Sequence, residues 1–315
     1  MTHANIIKTY PKVTILMGVL NGAAHLEAQL ASIAAQTHKD WHLVCNDDGS
    51  TDDSLRLLRG FAAAYPGQVS VGNGPRTGFS QNYISMISEL PENPGYVCFA
   101  DQDDIWLPTK ITRALDLLET CDFHPTIYCG RHMYWYPEVN LRIPAPVLNR
   151  PFRLENALIE NVASGNTVMM NASAAALARK AAIRTNGVFA HDWWLYLLIT
   201  ACGGHVRFDN GAPQILYRQH AANLIGSGRA WRDQLRRKTG VIKGLFSERI
   251  DGNIAALQAV SDMMTPDARD ILDRFAKARE ADGLARLLGL YAVGPYRQKW
   301  RDTLGFWGAA SLGRS

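Results

Sequence analysis

Short apolar runs and amphipathic stretches alternate along the first half of this chain. Val13 to Leu20 (VTILMGVL) has the length and continuity of a buried strand, and a helix-period pattern follows in AAHLEAQLASIAAQ. Trp41 to Cys45 (WHLVC) reads as a second strand, running straight into the acidic turn NDDGSTDD and then the helix-like SLRLLRGFAAAY. A short strand near Val69 precedes the loop GNGPRTG and the helix-like SQNYISMISEL. Tyr96 to Ala100 (YVCFA) predicts another strand, ending in DQDD. Pro108 then sits where a first helical turn accepts it, opening PTKITRALDLLE. Strands separated by helices predict a parallel α/β sheet, whose ligands bind beyond the carboxyl ends of the strands. Both acidic turns fall at such ends.

From Thr126 to Gln219 the pattern is mixed, with β-like TIYCG, TVMMN and QILYR among helices, and it reads as the second half of the same domain. After Gly226 the texture changes: Arg229, Arg232, Arg236, Arg237, Lys238, Lys243 and Arg249 face only Asp233 and Glu248. The expected division is therefore a catalytic-type domain over 1–225 and a basic, helical extension over 226–315.

Composition narrows the class. At 315 residues, 47% apolar and 20% charged, the chain is of globular type and long enough to bury a core without disulfide or metal staples. A net charge of +4 excludes a polycation built to coat nucleic acid, and no nucleic-acid partner is expected. Cys45, Cys98, Cys121, Cys129 and Cys202 form no CxxC pair and read as reduced core residues of a cytosolic protein. The opening MTHANIIKTY lacks the apolar core of a secretory signal, and no run approaches the ~18 apolar residues of a spanning helix. The expected location is the cytoplasm.

The acidic turns carry the chemistry. Turn and cap geometry explains Gly49, Ser50 and Asp52, but not the adjacent carboxylates Asp47 and Asp48 at the end of a buried strand. Asp101, Asp103 and Asp104 suit a hard divalent cation with room for phosphate oxygens. Together the two turns imply metal-assisted handling of a diphosphate. No P-loop, dinucleotide fingerprint, calcium loop or GxSxG elbow is present.

From Val13 through Glu119 the chain resembles the family 2 glycosyltransferases. The residues that carry the resemblance are Asn21, the SxxxQT stretch from Ser32 to Thr37, the DDGSTD turn from Asp47 to Asp52 and the DxDD motif from Asp101 to Asp104. The resemblance implies a GT-A fold, Rossmann-like, with a mostly parallel sheet flanked by helices and here followed by helices. It also implies a nucleotide-diphosphate sugar donor (a dTDP- or UDP-sugar) and Mg²⁺ or Mn²⁺. On this match Asp47 or Asp48 would receive the base or ribose, with Asn82 and, more loosely, Arg76 nearby. Asp101 and Asp103 would hold the metal and the sugar–phosphate region.

Further along, His191-Asp192-Trp193-Trp194 looks like the position of the catalytic base in inverting members, with His191 where many have Glu. Asp192 is the candidate base, and a helix N-cap is its structural alternative. Ala163 to Thr167 (ASGNT), including Gly165, resembles the loop approaching donor or acceptor. Tyr217 to His220 (YRQH) resembles the ending of bacterial rhamnosyltransferase-like members, which makes dTDP-rhamnose the first donor candidate. His220 would reach the metal or diphosphate, and Arg218 a phosphate through its planar fork. Trp193 and Trp194 are candidates for stacking on the acceptor sugar, with one of them expected in the core.

The basic segment 229–249, interleaved with Trp231, Leu235 and Phe246, reads equally as an interfacial helix on anionic lipid or a solvated bundle face. A lipid-linked oligosaccharide or polysaccharide acceptor would suit peripheral contact with the inner face of the plasma membrane. Two rivals stay open: a haloacid-dehalogenase-type phosphohydrolase, although Ile105 departs from its motif, and a non-catalytic saccharide-binding protein of the same fold.

Overall fold

The computed structural model describes residues 11–119, 124–219 and 245–313. Strands and helices alternate as β1 (Val13–Val19), α1 (Ala23–Ala34), β2 (Trp41–Asp47), α2 (Ser54–Ala64), β3 (Val69–Asn73), α3 (Phe79–Ser88) and β4 (Tyr96–Ala100). After the DQDD turn come β5 (Ile105–Trp106), α4 (Lys110–Leu118), β6 (Thr126–Gly130), β7 (Met133–Tyr136), β8 (Leu141–Pro144), α5 (Leu154–Ala157) and β9 (Met169–Met170). Then follow α6 (Ala172–Ala182), α7 (His191–Ala201), β10 (His205–Asp209) and β11 (Ile215–Arg218).

The main sheet has the order β10-β6-β9-β4-β1-β2-β3 and is parallel except for β9, which runs against both its neighbours. Alternation along β1 sends Val13, Ile15 and Met17 to one face, against Leu26 of α1, Leu58 of α2 and Ile111 of α4. Leu16 faces the other way, into a cluster with α3, α6 and α7. Helices cover both faces, which is why these strands read as unbroken apolar runs.

Three features depart from the sequence reading. β2 continues to Asp47, whose backbone lies opposite Val19 and Asn73, so that carboxylate sits on the last strand residue. α4 starts at Lys110 with Thr109 as its cap, and the Pro108 carbonyl instead accepts the Thr37 N–H at 2.8 Å. A second sheet, β5-β11-β7-β8, leans on the DQDD turn, and its strands β7 and β8 were not anticipated.

The chain closes with α8 (Leu245–Gln258), α9 (Pro266–Glu280), α10 (Gly283–Val293) and α11 (Trp300–Ser311). Leu257, Phe275, Leu290 and Phe306 join the buried cluster of α7, so these helices extend the core. Cys45, Cys98 and Cys129 are free and buried and Cys202 is free and half-buried, while Cys121 lies outside the described residues. The basic run at 229–244 lies outside them as well. Among the described residues no helix is long and apolar enough to cross a membrane.

Candidate active site

The carboxyl ends of β1, β2 and β4 are tied together by polar side chains. Asn21, in the left-handed region at φ 49°, accepts the Thr51 N–H at 2.8 Å, while its own N–H donates to Ser50 Oγ at 2.9 Å. Asp52 accepts from Ala23 N and Ser54 N, both at 3.0 Å, so the second half of the acidic turn secures the start of α1 as well as α2. The Gln102 amide clamps Leu20 through both its backbone groups, at 2.9 and 3.1 Å. The SxxxQT stretch supports the other side. Ser32 Oγ accepts from Trp106 N at 3.0 Å, and Gln36 bonds the backbone of Leu107 and Ile111.

At the end of β2, Asp47 Oδ2 accepts from Gly49 N and Ser50 N at 3.2 and 3.0 Å, and its Oδ1 is buried without a partner among the described residues. Asp48 Oδ1 accepts from Arg76 N at 2.6 Å. That approach requires Gly74, because a Cβ there would stand 2.6 Å from the same oxygen. Asn82 is buried beneath, donating to the Asn46 carbonyl at 3.1 Å with its own Oδ1 unpartnered. These two orphaned acceptors beside the strand ends are open to donors from a bound molecule.

The DQDD turn differs in kind. Asp104 is fully buried, accepting from Asn166 Nδ2 at 2.5 Å and from Arg218 N at 3.3 Å. Burial, then the Asp101 and Asp103 charges, pushes its carboxyl well above the ordinary range. Burial also raises Asp101, followed by repulsion from Asp103 and Asp192. Lys110 is buried below with its ammonium 3.7 Å from the Trp106 ring centre, its pKa lowered by burial although Asp104 and Asp101 act the other way. Arg218 donates through Nε to the Asp103 carbonyl at 2.9 Å, and its guanidinium lies 4.4 Å from the Trp135 ring centre.

Asp192 stands in the first turn of α7, half-buried. It is not the cap, since Ala190 occupies that position. Its Oδ2 accepts from Gly165 N at 2.9 Å and its Oδ1 from Trp193 N at 2.7 Å, while burial raises its pKa to about 6. The ASGNT loop therefore bridges the two acidic centres: Asn166 grips Asp104 and Gly165 orients Asp192. A Cβ at Gly165 would stand 3.0 Å from His191 Nε2, a tight contact that glycine avoids. His191 stacks on Tyr83 at 4.0 Å, and burial lowers its pKa to about 3, which keeps it neutral. It is a packing residue rather than a second base.

The structure corrects the acceptor assignment. Trp194 is fully buried, and Trp193 is buried with its Nε1 donating to the Ala157 carbonyl at 2.7 Å. Neither ring offers a face to a sugar; a half-buried aromatic ring near the acidic turn is that of Trp135, beside Arg218. His220 lies outside the described residues. Among the described residues no group of three or more His, Cys, Asp or Glu side chains is arranged to hold a metal. Asp101 and Asp103 therefore offer two carboxylates of the turn, fewer ligands than a hard divalent cation takes from protein alone. The sequence reading missed Lys110 and Trp135, and gave Gln102 and Asn166 no role of their own within the motifs that contain them. Only the DQDDIW–PTK spacing around the turn offered a signal for Lys110.

The sequence profile of glycosyl transferase family 2 matches residues 14–185. The dTDP-rhamnosyl transferase RfbG of Shigella flexneri is 27% identical over 228 residues, covering 70% of this chain and 77% of RfbG. The putative glycosyltransferase EpsE of Bacillus subtilis is 27% identical over 133 residues, 42% of this chain but only 46% of EpsE. Among solved structures, S. aureus TarS 1–349 aligns with a TM-score of 0.54 at 14% identity, over 78% of this chain and 65% of that one. Its complex with UDP-GlcNAc aligns at 0.52 and 11% identity, over 89% and 88%. At such identities the likeness to TarS speaks for a shared fold.

Proposed function

Since the chain belongs to glycosyl transferase family 2, we propose that it moves one sugar, with rhamnose from a dTDP donor as first candidate, to a saccharide or lipid-linked acceptor with inversion. The observation that carries this reading is Asp192: a carboxylate fixed by two N–H groups and electrically coupled to Asp101 of the diphosphate-facing turn.

In this reading the nucleotide base meets Asp47, Asp48 and Asn82 at the end of β2, and the diphosphate lies over the DQDD turn. Asp101 and Asp103, with His220 proposed from the sequence, would hold Mg²⁺ or Mn²⁺, whose charge offsets that gathered by the departing diphosphate. Asp192 takes the acceptor hydroxyl proton as the acceptor oxygen bonds to the anomeric carbon. The bond from that carbon to the diphosphate oxygen breaks in the same displacement, and its electron pair leaves with the diphosphate. A base with its pKa raised to about 6 is charged at neutral pH and basic enough to accept the proton. Arg218, anchored at the Asp103 carbonyl and the Asp104 carboxylate, would meet a phosphate oxygen in this reading.

RfbG, matched over most of its length, favours dTDP-rhamnose among donors. The test is release of nucleoside diphosphate from dTDP-rhamnose and UDP-sugars in the presence of saccharide acceptors. Release coupled to a glycosylated product, and lost in Asp192→Asn, supports the reading. Release of inorganic phosphate without a glycosylated product would return the hydrolase alternative.

A further inference from the structure

Exposed large apolar side chains are few and scattered over most of the described chain, where single ones need no explanation. Leu284, Leu288, Tyr291, Trp300, Leu304 and Leu312 break that rule: of eleven such residues among those described, five lie in two helices and Leu312 caps the second, each at least 59% exposed. Leu284, Leu288 and Tyr291 follow one face of α10 at helical spacing, and Trp300, Leu304, Gly308 and Leu312 recur every fourth residue along α11 and its end. The opposite sides carry Leu290, Val293, Phe306 and Ala310 into the core. Arg286 is the only charged residue in α10. A surface helix that is apolar outside as well as inside has the pattern of one with a second apolar medium against it.

We infer that α10 and α11 seat this protein on an anionic lipid surface. Trp300 and Tyr291 carry the amphipathic rings that favour the headgroup boundary. Lys299 and Arg301 are exposed at the start of α11, and the Arg301 guanidinium lies 5.5 Å from the Trp300 ring centre. Arg297 pairs with the partly buried Glu160, which leaves Arg286, Lys299 and Arg301 against Asp282 and Asp302 on this surface, a small positive excess gathered beside Trp300. Apart from Arg286 and the Tyr291 hydroxyl, α10 carries no polar side chain, so its outer face offers a partner protein few hydrogen-bonding groups and suits hydrocarbon better. This surface lies on residues other than the basic segment 229–249, and its existence does not depend on sugar transfer.

The experiment is co-sedimentation of the full chain with vesicles of phosphatidylcholine alone and of phosphatidylcholine with phosphatidylglycerol. The wild type pellets with the anionic vesicles and is released by high salt. Leu288→Asp/Tyr291→Asp/Leu304→Asp lowers the partition coefficient about tenfold or more, with unchanged circular dichroism and melting temperature. If that variant misfolds, the milder Leu284→Ser/Trp300→Ala shows the same direction of loss. A wild type that stays in the supernatant overturns the inference. So do equal pelleting with neutral vesicles, a folded variant that pellets like wild type, or a dimer dissolved by the substitutions with no vesicle binding.

Discussion

In the NDDGSTDD turn the carboxylates bond N–H groups and an arginine, whereas in the DQDD turn burial and neighbouring carboxylates outweigh the donors that Asp101 and Asp104 have. Asp47 holds Gly49 and Ser50, Asp48 holds Arg76, Asp52 holds Ala23 and Ser54, and Asp53 pairs with Arg56 at 3.0 Å. The hydrogen bond from Arg56 lowers the Asp53 pKa, and for Asp52 the bonds from Ser54 and Ala23 prevail over a burial effect of opposite sign. At Asp101 and Asp104 burial comes first, neighbouring carboxylates add to it, and both pKa values rise. Acidic residues alone therefore do not mark a ligand site. Where donor bonds prevail, as at Asp52 and Asp53, the carboxylate secures the fold; where burial and like charge outweigh the donors, as at Asp101 and Asp104, the carboxylate is costly to keep charged without a ligand.

Substitutions sharpen that contrast, beginning with the largest effect. Asp192→Asn lowers kcat about 10²–10⁴-fold with donor binding retained. It also sets an NH₂ against the N–H of Gly165 or Trp193, so a modest fall in melting temperature accompanies it. Separate kcat and donor-affinity measurements check this, and an unchanged kcat would move the base elsewhere. In a pH profile, the Asp192 carboxylate is lost below about 6, and transfer falls roughly tenfold per unit beneath that point.

Stability follows the same division with opposite signs. Asp101, Asp104 and Asp192 bind protons more tightly folded than unfolded, so ligand-free stability declines as pH rises from the ordinary carboxylate range through their raised values. Asp52, Asp53 and Asp209 have lowered values, so their contribution is present above the unfolded carboxylate pKa and lost as pH falls through the folded one. Thermal unfolding across pH checks this, with maximum stability on the mildly acidic side. Smaller again, Asp52→Ala removes the caps on α1 and α2 and destabilises by about 1 kcal/mol with little change in kcat. Arg56→Ala breaks an exposed pair and leaves the urea midpoint nearly unchanged.

Local signals made much of this legible. Apolar runs bounded by Gly, Asn and Asp located β1, β2, β4 and β6, and placed both acidic turns at strand ends. The second sheet was hidden because β7 and β8 have no clear alternation, and β7 pairs with β11 far along the chain. Trp193 and Trp194 misled because an aromatic in a helical run reads alike whether it lines a core or a ligand. Lys110 looked like an ordinary polar position of an amphipathic helix, and its burial beneath Asp101 and Asp104 arises only when α4 folds under the turn. Ser32, Gln36 and Thr37 were visible as a pattern, but their work on the backbone of residues 106–111 is a tertiary fact.

Calorimetric titration of dTDP and UDP into the protein, with and without Mn²⁺, tests the diphosphate site most directly. The account predicts binding by at least one nucleotide that tightens with the cation, and an Asp101→Ala/Asp103→Ala protein that stays folded but no longer responds to it. Cation-independent binding, or an undiminished cation response in the double variant, would contradict it.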